Sequence, residues 1–157
     1  MSELKGMQKE KFRLIIDTNL WISYLIEGNF KELDGLIISR KVILLYCLEI
    51  IEELIEVSQR DKFRKFFTVE NVLQLLSMIE EYGEVIEVKS GILECRDPKD
   101  DFLLSLAKDG KADFLLTGDS DLLVIQRFEN TRIITFPNFI SNLDDSEKIN
   151  LEDLIVF

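Results

Sequence analysis

Phe12-Arg13-Leu14-Ile15-Ile16-Asp17-Thr18-Asn19 and Ala112-Asp113-Phe114-Leu115-Leu116-Thr117-Gly118-Asp119 are the two stretches whose reading decides the fold. Each holds a short apolar run that stops abruptly at an acidic turn. A run of this length reads as a strand buried on both faces, because a helix would need more residues and a 3.6-residue rhythm. Between and around the two stretches, helical spacing recurs. Leu20 to Ile26 and Phe30 to Ser39 carry it, broken by Gly28-Asn29. Val42 to Tyr46 (VILLY) is a second buried strand, followed by a helix from Leu48 to Gln59 with apolar Ile50, Ile51, Leu54, Ile55 and Val57. Thr68 is placed to cap a helix from Val69 to Tyr82, which Gly83 stops. Val85 to Val88 reads as a third short strand, Asp100 to Asp109 as a helix ending at Gly110, Ser120 to Gln126 as helix, and Arg132 to Thr135 as the last strand before a short helix opened by Pro137. This alternation predicts an α/β fold with a mainly parallel sheet of about five strands and helices on both faces. Crossovers should be right-handed.

Length and composition bound the possibilities. The 157 residues suit one domain spanning 1–157 with a core from about 12 to 140, and 46% apolar content with 11 Phe suffices to fill it. There is no repeat, low-complexity tract or obvious linker. Met1 to Lys11 is polar and mixed in charge, unlike a signal peptide, and the apolar run Val42 to Leu48 is too short to span a membrane. Cys47 and Cys95 make no disulfide framework and read as free thiols, mostly apolar filler, in a reducing cytoplasm. The chain contains no His. That excludes a Ser-His-Asp triad, an imidazole general base and a His-rich zinc site. Chemistry at neutral pH then rests on carboxylates, hydroxyls, Lys or a bound ion. The net charge of −11 argues against coating nucleic acid by bulk electrostatics, though a cation held in an acidic cleft reverses the local sign.

In a parallel sheet, ligands sit beyond the carboxyl ends of the strands, near the point where strand order reverses. Asp17 and Asp119 occupy such ends. Neither turn carries a dinucleotide fingerprint or a Gly-rich phosphate loop with Lys. The turns offer oxygen ligands of the kind that Mg2+ and Mn2+ prefer. A third acidic group is Asp97, Asp100 and Asp101 in RDPKDDFLLSLA, where the plain alternative is an N-cap with first-turn acids. A fourth is Glu49, Glu52, Glu53 and Glu56 on one face of the helix after VILLY, where the plain alternative is a solvated face. Gathered together, about four carboxylates would raise one another's pKa, and a divalent cation is the simplest compensation.

The order IIDTNLWIS, a helix with EEL, DPKDDFLLSLAKDGKADFLLTGDSDLL and FPNFI resembles the PIN-domain family, over about Phe12 to Ile140. The nearest likeness is to members described as toxins of toxin–antitoxin pairs. The resemblance implies a divalent-metal-dependent ribonuclease that cleaves single-stranded RNA in the cytoplasm with Mg2+ or Mn2+, and an antitoxin protein as partner. It also implies roles for particular residues. Asp17 corresponds to the first metal-binding aspartate and Asn19 to a polar partner. Glu53 corresponds to the helix glutamate, with Glu52 as its alternative. Asp100 corresponds to the third acid, with Asp97 and Asp101 as alternatives, and Asp119 to the fourth, supported by Asp121. Thr117 and Ser23 are placed to orient the carboxylates or a water. The chain departs from the family pattern at Tyr46-Cys47-Leu48, where a small polar cap is expected.

Two further expectations concern surfaces. Arg60, Lys62, Arg64 and Lys65, interleaved with Phe63, Phe66 and Phe67, read as an amphipathic turn or as an RNA-contacting edge, and Lys9, Lys11 and Arg13 form a second basic patch. The alternative to an enzyme is a PIN-fold binding module that acts through a partner protein or a homodimer. Trp21, Tyr24 or Phe67 left outside the core would favour it. A phosphatase or receiver reading fails on Asn19 and on Thr135-Phe136.

Overall fold

Phe12 to Ile16 occupies the middle of the sheet, and everything that places the acidic turns follows from its neighbours. The computed structural model describes residues 11–28, 30–92 and 97–143, so the expectations for Lys9, Asn29 and Cys95 lie outside the described residues. Along the chain come β1 (Phe12–Ile16), α1 (Thr18–Glu27), α2 (Lys31–Ile38), β2 (Val42–Tyr46), α3 (Leu48–Ser58), α4 (Asp61–Arg64), α5 (Val69–Tyr82), β3 (Gly83–Val85), α6 (Pro98–Gly110), β4 (Phe114–Leu116), α7 (Ser120–Leu123), β5 (Arg127–Phe128), β6 (Thr131–Ile134) and α8 (Phe136–Ser141). The six strands are ordered β3-β2-β1-β4-β6-β5. All pairings are parallel except β5 with β6.

Side chains alternate across the sheet. Phe12, Leu14, Ile16, Val42, Leu44, Phe114 and Leu116 face one layer, where Trp21, Leu33, Ile37, Leu54, Leu75, Ile79 and Phe139 meet them. Ile15, Leu45, Leu115 and Ile133 face the other, against Leu103, Leu104, Leu106 and Leu122. Helices therefore cover both faces, as the continuous apolar strands require. Trp21 and Phe67 are buried. Tyr24 is half-buried, packs edge-on to Trp21 and donates its hydroxyl to Asp34. The three aromatics that would have favoured a binding module are thus housed in or against the core.

The structure departs from the sequence expectations at short or special elements. The sixth strand, β5, is an antiparallel edge of two residues, and α4 is a single turn of four. Elements so short have no period to read. The third strand is Gly83–Val85 rather than 85–88, because α5 passes directly into it. Gly83 is extended, not left-handed, and a Cβ there would meet the backbone oxygens of Ile79 at 2.3 Å and Leu44 at 2.6 Å. The helix α6 starts at Pro98, with Asp97 as its cap and Pro in the first turn. It ends through Lys111, not Gly110, in the left-handed region, while Gly110 packs on Leu45 and Ile86. The helix α7 stops at Leu123, and Gln126, with φ of 66°, lies between it and β5. Cys47 caps α3 without a side-chain bond and is buried, which pushes its thiol up to about 11.

Of the second basic patch, Arg13 is engaged elsewhere. Arg13 donates its Nε to Gly110 O at 2.8 Å and its guanidinium nitrogens to Glu84 at 2.7 and 3.3 Å. It is a tie at the amino end of the sheet rather than part of a free cationic surface.

Gly83→Ala should lower stability by roughly 1–3 kcal/mol, since two main-chain oxygens would have to move. Gly118→Ala, with open space around its Cβ position, should leave stability nearly unchanged. Urea denaturation of both variants checks the contrast.

Candidate metal centre

The chain runs from β1 outward through β2 to β3, then returns to place β4 on the other side of β1. The switch point lies between β1 and β4, and Asp17 and Thr117 leave the sheet side by side there. The register continues past the strands, with Asp17 N donating to Leu116 O at 3.0 Å. Thr117 Oγ1 donates to Asp17 Oδ2 at 2.7 Å and accepts from Asp119 N at 3.0 Å. One buried hydroxyl thereby fixes the two acidic turns to each other. Asp17 also caps α1, accepting from Asn19 N at 3.3 Å. Burial holds the Asp17 carboxyl above its ordinary range and the charges of Glu53 and Asp119 add to this, against the bonds from Thr117 and Asn19.

The helix α6 brings the third acid. Asp97 is exposed and spends Oδ1 on the N–H of Lys99, at 2.9 Å. Asp100 and Asp101 are both buried. Carboxylate oxygens of Asp100, Asp119 and Asp121 all lie within 4.8 Å of one another. Asp119 caps α7 by accepting from Asp121 N at 2.9 Å. Asp100 Oδ2 is buried with no hydrogen-bond partner among the described residues. Burial first, and then Asp119, Asp97 and Asp17, push the Asp100 carboxyl up to about 7 from an ordinary 3.8.

The helix α3 supplies the fourth. Glu49, Glu52 and Glu56 are exposed, whereas Glu53 is half-buried. Its Oε2 accepts from Thr18 Oγ1 at 3.1 Å, and its Oε1 pairs with Lys99 Nζ at 3.3 Å. Thr18 and Lys99 were not foreseen. The only signal for Lys99 was its place inside DPKDD, and Thr18 had none beyond adjoining Asp17. Asn19 is exposed and contributes its backbone N–H. Ser23 Oγ donates to the Asn19 carbonyl one turn back, at 3.2 Å, so its hydroxyl is engaged within α1.

The PIN domain family model matches residues 13–121. The chain belongs to the PIN-domain family. An uncharacterized protein of Methanocaldococcus jannaschii is 32% identical over 127 residues, which cover 78% of this chain and 81% of that protein. PIN domains have a nuclease-type fold, are commonly metal-dependent ribonucleases and typically use divalent metals.

The donor set fits a hard divalent cation. It offers carboxylate oxygens without sulfur or imidazole, and it includes a buried acceptor in want of a partner. No helix among the described residues is long and apolar enough to cross a membrane.

The raised Asp100 value has a definite sign for stability. Its folded pKa exceeds its unfolded one, so the folded state binds more protons between about pH 4 and 7, and stability falls as pH rises through that window. For the metal-free protein, Asp100→Asn should raise Tm by several degrees at pH 7.5 and change it little near pH 4. Thermal melts in EDTA at both pH values check this.

Proposed function

We propose that this protein is a divalent-metal-dependent endoribonuclease that cleaves single-stranded RNA, with Asp17, Glu53, Asp100 and Asp119 as its catalytic, metal-holding acids and Asp121 in support. The unpartnered Oδ2 of Asp100, buried beside Asp119 and Asp121, is the observation that carries the reading. A buried carboxylate oxygen without a donor is costly unless something positive completes it. Mg2+ or Mn2+, when bound, supplies positive charge against a phosphodiester and acidifies a water.

The chain's own groups set the geometry for that chemistry. Thr117 holds Asp17 and the backbone of Asp119 in one arrangement, so neither acid has to be ordered when substrate arrives. Each carboxylate oxygen of Asp17 accepts one hydrogen bond from Thr117 or Asn19 and retains a lone pair. Lys99, exposed at the rim, holds Glu53 and stands where an anionic backbone would pass. With no His in the chain, proton transfer rests on carboxylates and solvent.

The finer reading is that of the toxin in a toxin–antitoxin pair, acting in the cytoplasm and silenced by an antitoxin protein; the alternative is a PIN-fold binding module that acts through a partner protein or a homodimer. The resemblance of IIDTNLWIS and GKADFLLTGDSDLL to toxin members supports the toxin reading.

Purified protein should cleave labelled single-stranded RNA with Mn2+ or Mg2+ and not in EDTA. Asp17→Asn and Asp119→Asn should each lower the rate by at least about 100-fold while circular dichroism stays unchanged. Normal turnover by either variant would refute the assignment. Either ion should also raise the Tm of the wild type at pH 7.5, and the increase should vanish in Asp100→Asn. Expression alone should arrest growth if the toxin role holds, and Asp17→Asn should relieve the arrest.

A further inference from the structure

A groove of about 670 Å³ opens between the later part of α3, α4 and the start of α5, and none of the acidic residues of the metal centre lines it. Ile55, Phe67, Val72 and Leu76 give it an apolar lining, and Val69 and Leu73 stand on its edge, 75% and 57% exposed. Phe66, next in sequence to Phe67, is 51% exposed. A contiguous apolar patch of this kind marks a surface that something covers.

The same edge concentrates cations in a chain of net charge −11. Arg60, Lys62, Arg64 and Lys65 lie within six residues of one another. Lys62 and Lys65 rest over the rings of Phe63 and Phe66, and Glu56 and Asp61 offset Arg60 and Arg64 in part. The occupant should therefore be apolar on one side and acidic on the other.

The chain carries a segment of that chemistry. Residues 144–157 read DDSEKINLEDLIVF, with five acids against one lysine. Leu151, Leu154 and Ile155 recur at the three- and four-residue spacing that shares one helix face, with Glu152 and Asp153 between them. An amphipathic helix laid in an apolar groove is a recurrent mode of recognition. The segment follows Leu143, which is buried in the layer that also contains Phe67 and Leu75. Fourteen residues reach about 45 Å when extended, against a radius of gyration of about 15 Å for a domain of this length. The groove is within reach, and tethering gives the segment an effective concentration of order millimolar.

We propose that the groove between α3, α4 and α5 is the docking site of the chain's own Ile149–Phe157, with its apolar face on Phe67, Val72 and Leu76 and its acids toward Arg64 and Lys65. The occupant is intramolecular, and the assignment does not depend on the nuclease reading.

Hydrogen–deuterium exchange on the full chain tests it, comparing wild type with Leu154→Asp/Ile155→Asp. The variant should exchange amides of 69–76 about tenfold faster, the factor expected from losing one well-buried leucine, with strands 12–16 and 114–116 unchanged. Leu73→Asp, at an exposed position, should in turn speed exchange across 149–157. Unchanged exchange in both variants would overturn the proposal. So would wild-type protection of 69–76 that is lost on dilution together with a dimer mass in light scattering, which would seat the segment in a second copy. A single-stranded oligonucleotide that shields 60–67 equally in wild type and in the tail variant would also overturn it, as the edge would then be an open nucleic-acid track.

Discussion

The molecule turns on one hydroxyl. Parallel pairing of β1 with β4 delivers two acidic turns to the same point, and Thr117 Oγ1 is what allows them to stay there. It donates to one aspartate and accepts from the backbone of the other, so it answers both without adding charge. Strand register, helix α1 and helix α7 all begin or end at this junction, because Asp17 and Asp119 are also the caps of those helices. A change at Thr117 would be felt in the sheet and in both helices together.

Around this junction the fold accepts an electrostatic penalty. Asp17 and Asp100 are buried among like charges and both sit above their ordinary protonation range. Glu53 is treated differently, since buried Thr18 donates to it and exposed Lys99 pairs with it. The result is a graded site, with a compensated acid at its mouth and an uncompensated one at its base. Such a gradient favours a cation at the base, where water is least able to compete.

Charge is also sorted across the molecule. The acids converge on the carboxyl edge of the sheet, Arg13 ties the amino edge to Glu84 and Gly110, and the remaining dense cluster of cations borders the apolar groove on α4 and α5. The acidic total of the chain thus says little about any one surface. The acidic cluster and the groove with a basic edge share α3, which turns Glu53 toward the one and Ile55 toward the other.

Several features were legible in the residues alone. The runs FRLII and FLL stop so sharply at acidic turns that the strands, their burial on both faces and the location of Asp17 and Asp119 at strand ends could be read directly. A buried parallel strand leaves that mark because both of its faces must be apolar. Thr68 signalled a helix start for a similarly local reason, that a cap depends on neighbouring residues. Which glutamate turns inward, and which of Asp97, Asp100 and Asp101 meets Asp119, was decided only in three dimensions. Spacing puts Glu52 and Glu53 at opposite edges of one acidic face of α3, about 100° apart, and only the lie of that helix against Thr18 and Lys99 shows which edge turns inward. Asp97 is consumed by capping while Asp100, one turn further on, is buried beside the carboxyl end of β4. Orientation of a helix about its own axis is set by everything packed against it, and so it belongs to the tertiary structure and not to any local run of residues.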